Sequence, residues 1–98
     1  MTPNEAFKEQ LESALTETGL QLQRSAAEVA AYTAQRALHL STIVGQPGYA
    51  EAVKAERDAV ALYAGITAVN NADAADNRII GIIQSGIALL AIAAAPPG

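Results

Sequence analysis

The sequence predicts an all-α protein, an antiparallel helical hairpin of two long helices over about 3–44 and 49–95. Three observations predict it. Apolar residues recur at helical spacing along both halves of the chain. One dense cluster of turn residues, Gly45-Gln46-Pro47-Gly48, stands almost at the midpoint. No charged residue follows Arg78, so Ile79–Gly98 carries Gln84 and Ser85 as its only polar side chains. At 98 residues the chain makes one domain, 1–98, with little stability to spare.

The first helix has a clear start. Thr2 can cap it, Pro3 suits the first helical position, and Glu5 completes a Thr-x-x-Glu box. Phe7, Leu11, Leu15, Leu22, Val29, Leu40 and Val44 then continue at mostly helical intervals. Thr18-Gly19 is a weak point, because Gly costs up to ~1 kcal/mol relative to Ala inside a helix. At the central turn, Ile43-Val44-Gly45 reads as a helix C-terminus and Pro47 as the start of the next helix.

The second arm has no proline before Pro96. Asn70-Asn71-Ala72-Asp73 is its candidate break, with Asn71 or Asp73 able to cap a separate final helix. Against a break stands a track alternating by four and three residues: Ala61, Gly65, Ala68, Ala72, Ala75, Ile79, Ile82, Gly86, Leu89 and Ala93. Breaks near both Gly19 and Asn71 would instead fold the arms into a four-helix arrangement.

Small residues at Ala27, Ala30 and Ala34 on one arm and Ala61, Gly65, Ala68 and Ala72 on the other are the expected sites of close helix packing. Leu in place of Gly65 is expected to overpack there. The same fold sets Phe7, Leu11 and Leu15 opposite Ile79–Leu90. The final segment is apolar all round: Ile79, Ile80, Ile82, Ile83, Ile87, Leu89, Leu90 and Ile92 are its expected interaction residues. A helix apolar on every side needs cover on every side, and a two-helix hairpin cannot supply it.

Composition narrows function by exclusion. A charged fraction of 16% is well below the ~25% of typical soluble domains, which suits a surface covered in an assembly. Net charge is −4 and the basic residues Lys8, Arg24, Arg36, Lys54, Arg57 and Arg78 are scattered, so nucleic acid is a poor partner. Without cysteine there is no disulfide, thiol catalyst or thiolate metal site. The start, Met1–Glu5, reads as neither a secretory signal nor a transit peptide.

No catalytic, cofactor-binding or metal-binding residue is assigned, and no small-molecule substrate or cofactor is expected. His39 is a lone histidine near a helix end, suited to the C-terminal dipole. No Glu-x-x-His pair, phosphate loop or nucleophile elbow occurs. Glu5, Glu9 and Glu12 read as a solvated face. Glu51, Lys54, Glu56, Arg57 and Asp58 read as the wet end of the hairpin, available for ion pairs with a neighbouring subunit. Asp73 or Asp76 is placed to pair with Arg24 or Arg36 or to cap a helix. Tyr32, Tyr49 and Tyr63 read as packing anchors with wet hydroxyls.

The resulting expectation is a non-enzymatic structural protein that self-associates through apolar helix faces, as a phage-like virion component or a component of a similar supramolecular assembly. Its partners are copies of itself and other proteins of the assembly. One alternative is a membrane-active, holin-like protein. Residues 79–95 are seventeen uncharged positions, at the lower edge of the ~17–25 that span a bilayer. In length and central turn the chain also resembles the WXG100 secreted hairpins, with Ile43-Val44-Gly45 where the Trp-x-Gly would stand. That resemblance implies a small secreted or adaptor hairpin.

Overall fold

The first arm is interrupted at residues 19–25, well before the central turn, and then resumes as a second helix. The computed structural model describes residues 2–66 and 74–96, with the side chains of all of these except 74–76. Helix α1 spans Pro3–Thr18. Thr2 Oγ1 accepts the Glu5 N–H at 3.1 Å, as its capping role requires. The Glu5 carboxylate accepts from the Thr2 hydroxyl at 3.2 Å, so the box closes on the side chain. Gly19 ends the helix at φ 73°, its N–H donating to the Leu15 carbonyl at 2.9 Å. That left-handed conformation is nearly free for Gly and strained for residues with a Cβ. The weak point in the sequence is a helix terminus.

Helix α2, Ala26–Leu40, opens with a full capping box. Ser25 Oγ accepts the Glu28 N–H at 3.1 Å, and the Glu28 carboxylate accepts the Ser25 N–H at 3.2 Å. One 3₁₀ turn, Ser41–Ile43, follows. The reversal uses Gly45 at φ 82° and Gly48 at φ 87°. Helix α3 begins only after it, at Tyr49, and runs to Ala64. Pro47 therefore belongs to the turn itself and does not start the helix. Helix α4 spans Ala74–Ala94.

Four α-helices, with no strand among the described residues, replace the hairpin expected over 3–44 and 49–95. The physical reason in the second arm is Gly65. It adopts φ 88° and its N–H donates to the carbonyls of Ala61 and Leu62, ending α3. Its missing side chain also admits Gln23, whose carbons lie 2.6–2.9 Å from where a Cβ would stand. Gly65 is thus a cap against a loop residue and not a step on a helix–helix stripe. The break expected near Asn71, and the packing sites Ala68 and Ala72, lie outside the described residues.

The helices run up-down-up-down. Glu17 at the end of α1 is ion-paired with Arg78 at the start of α4, and Phe7 lies on Gly86 further along, so α1 and α4 are antiparallel. Gln23 N–H donates to the Ala64 carbonyl at 2.9 Å and Arg36 reaches Glu56, so α2 and α3 are antiparallel too. Helix α4 packs on all three others, while α1 and α3 flank the α2–α4 pair from opposite sides. The bundle is a slab of 42 × 31 × 17 Å. Its radius of gyration of 12.9 Å still matches the ~13 Å of a compact chain of this length.

The core sits between α4 and its three neighbours. Leu11, Val29, Val60, Ile79, Ile83 and Ile87 are fully buried, with Phe7, Leu40 and Leu90 close behind. Each such side chain contributes roughly 1.5–3 kcal/mol relative to exposure. The steps from Ile79 to Ile83, Ile87 and Leu90 form one helical stripe. Thr33 is also fully buried and satisfies its hydroxyl on the Val29 carbonyl at 2.6 Å.

Candidate interaction surface

The fold divides the expected interaction residues of α4 into two sets. Ile79, Ile83, Ile87 and Leu90 are core, and Ile80 and Ile82 pack partly buried against it. Cover on these faces comes from the chain's own helices, because three helices pack on α4 where a hairpin would offer one. Leu89 and Ile92 remain 63% and 57% exposed. Of the expected close-packing residues, Ala30 and Ala61 are buried, Ala34 is half-buried, and Ala27 is exposed. The closest approach occurs instead at Gly86, where a Cβ would stand 2.3 Å from the Phe7 ring.

Leu89 and Ile92 rim a hollow of about 330 Å³ between α1 and α4. Pro3, Ala6, Phe7 and Gln10 form its α1 side, and Gly86, Leu90 and Ala93 complete the α4 side. A second hollow of about 290 Å³ adjoins it across Pro3 and Leu90, reaching Ala34 and Leu38 of α2. Leu38 is 62% exposed. Asn4 holds this end together by donating to the Ala30 carbonyl at 2.9 Å. Three exposed large apolar side chains thus surround the end where α1 begins and α2 and α4 finish. No charged side chain lines either hollow. Leu62, also exposed, lies at the opposite end on α3.

The opposite seam, between α2 and α3, is polar and aromatic. Arg36 binds Glu56 through two hydrogen bonds, Nη2 to Oε1 at 2.7 Å and Nε to Oε2. The Glu56 hydrogen bond holds Arg36 further above its already high pKa, against a smaller opposing effect of desolvation. Arg36 also lies 5.9 Å from the Tyr32 ring centroid. Tyr32 stacks on Tyr63 at 4.2 Å and 12°, and Arg24 covers Tyr63 at 4.6 Å. Arg24, Tyr63, Tyr32, Arg36 and Glu56 therefore form one column.

This column corrects one expectation. Glu56 is not at a wet end seeking another subunit; it is buried and paired within the chain. Arg36 is held by Glu56, while Arg24 has Tyr63 and a loose, exposed contact to Glu28 at 3.8 Å. Asp73 and the side chain of Asp76 lie outside the described residues. Tyr49 is a second correction: its hydroxyl is buried and has no hydrogen-bond partner among the described residues. Glu5, Glu9 and Glu12 are exposed, as is His39 in the last turn of α2. Among the described residues no group of His, Asp and Glu could hold a metal ion.

The sequence reading missed Leu38 and the Pro3–Ala6–Gln10 wall. Leu38 steps off the buried Val29, Thr33, Ala37, Leu40 stripe of α2, and that phase error was the available signal. No protein-family model, curated protein or solved structure matches this chain.

Proposed function

We propose that the chain is a non-enzymatic structural protein that self-associates through the apolar end of its bundle, within a larger assembly of virion type. The observation that carries this reading is the ring of Leu38, Leu89 and Ile92 around two adjoining uncharged hollows. Contiguous exposed apolar surface on a small domain is an interaction surface by default. Raised side chains next to a depression also suit an isologous contact, in which each copy's knobs enter the other's hollow. No titratable side chain lines either hollow, which leaves general acid–base chemistry no group to use there.

The test is the mass of the full chain in detergent-free buffer, by sedimentation across a concentration series. The wild type is expected to associate. Leu89→Asp with Ile92→Asp is expected to give a monomer with unchanged helical circular dichroism. A wild type that stays a monodisperse monomer at every concentration sinks the proposal. Capsid or tail genes beside the coding sequence would support the virion setting, and their absence would count against it.

One observation favours a membrane as the second reading. Asn77–Ala94 is an 18-residue window of mean hydropathy 1.6. A third of that window is buried in the bundle, so insertion would require α4 to leave α1, α2 and α3. Flotation of the wild type with liposomes would favour that reading over self-association.

A further inference from the structure

A larger hollow lies on another face and plays no part in the proposed association. It is a groove of about 540 Å³ between α3 and α4, lined by Tyr49, Ala50, Val53, Lys54, Gly81, Gln84, Ser85 and Ala88. That volume is in the range of small-molecule pockets. It exists because α4 presents small residues there. Gly81 has no atom within 4 Å of where a Cβ would stand, and Ser85 and Ala88 add little bulk on the following turns.

Its polar groups include one cation and no carboxylate. Arg57 Nη1 donates to Gln84 Oε1 at 3.0 Å, which orients the amide, and its NH₂ group has no acceptor among the described residues. Lys54 makes no ion pair with a carboxylate among the described residues, whereas Arg57 beside it is taken by Asp58 at 2.9 Å. Ser85 adds a hydroxyl, and no Asp or Glu lines the groove. The rest of the lining is apolar: Ala50, Val53, Ala88 and the Tyr49 ring.

We infer that this groove binds a small monocarboxylate with an apolar body. Lys54, unpaired among the described residues, matches one negative charge, so a carboxylate fits better than a phosphate dianion. The amide NH₂ of Gln84 and the hydroxyl of Ser85 supply further hydrogen bonds to its oxygens. The apolar body lies on Val53, Ala50 and Ala88.

The experiment titrates isotope-labelled full-length protein with octanoate, kept below its self-association concentration, and follows amide and side-chain NH₂ resonances. Octanol and octylammonium serve as matched probes. Saturable shifts at Lys54, Gln84 and Ser85 are expected with octanoate, and much weaker ones with the other two. Lys54→Met should weaken octanoate binding about tenfold or more, the scale of one charge-assisted hydrogen bond. Ser85→Leu should block the groove with the helical signal intact. The inference is overturned by absent shifts, by equal shifts with octanol, by shifts confined to the Leu89–Ile92 end, or by unchanged affinity in Lys54→Met.

Discussion

The α1–α4 seam and the α2–α3 seam join antiparallel helices of similar length by different physics. Along α1–α4, Phe7 and Leu11 meet Ile79, Ile83 and Ile87, with Gly86 recessed to admit the Phe7 ring. Along α2–α3, a guanidinium, two stacked rings, a second guanidinium and a carboxylate follow one another. Apolar burial is strong but not directional. It has no internal reason to stop at the edge of the seam, and the α1–α4 contact runs out into Leu89 and Ile92. Hydrogen-bonded ion pairs and stacked rings are directional and saturable. The α2–α3 column satisfies itself and leaves Glu56 nothing to offer another molecule. The seam with surplus apolar surface is therefore the better candidate for association.

The contrast can be broken most severely at Phe7. Phe7→Ala should lose about 3–5 kcal/mol, the usual cost of emptying a buried aromatic site, measured by chemical denaturation. Gly86→Ala should cost about 1–3 kcal/mol by overpacking against the ring. Combined with Phe7→Leu it should cost less than the sum of the singles, because both changes act on one contact. Additive losses would show that the ring does not rest on Gly86.

The polar seam should respond differently. Arg36→Met should cost about 1–3 kcal/mol by stranding the mostly buried Glu56, reduced from a fully buried case because Arg36 is 37% exposed. Adding Glu56→Leu should restore most of that loss, since the pair is specific more than strong. A double variant no more stable than the single would show that the column stabilises by more than pairing.

Smaller effects sharpen the picture. Tyr49→Phe should be neutral or stabilising by up to about 1 kcal/mol, since it removes a buried hydroxyl that has no partner among the described residues. Ser25→Ala should cost about 1 kcal/mol through loss of the α2 cap. The smallest effect is a pH dependence. The Ser25 backbone N–H, then its hydroxyl, hold the Glu28 carboxyl below its usual pKa. A carboxyl lowered in the folded state stabilises above its unfolded pKa, and that contribution is lost as pH falls through the folded value. Acid titration of Glu28→Gln should lack this component. A profile identical to wild type would remove the capping box from the pH response.

Much of the fold is legible in the residues. Thr2 and Pro3 announce the first helix, Gly19 its weak point, and Gly45–Gly48 the central reversal. Phe7 and Leu11 face the Ile79–Leu90 stripe as their spacing implies. The α2 start was equally readable, since Ser25-Ala26-Ala27-Glu28 is a capping box. A long-helix reading passes over it, because the apolar spacing from Leu22 to Val29 continues across the break. Gly65 misleads for a related reason. A glycine in phase with a stripe serves either as a small packing residue or as a left-handed cap, and periodicity cannot tell these apart.

The candidate surface was less legible. The apolar excess of residues 79–92 is plain, but which of those side chains a neighbour covers depends on how many helices surround α4. One covering helix would leave most of the set exposed, whereas three leave chiefly Leu89 and Ile92. Helical character, the central turn and the surplus of apolar surface follow from the sequence, because propensity, capping and periodicity act over a few residues. The choice of four helices over two, the partner of each charge and the exposed remnant of the apolar face come from tertiary structure. They depend on contacts between residues far apart in the chain, as between Phe7 and Gly86 or Arg36 and Glu56.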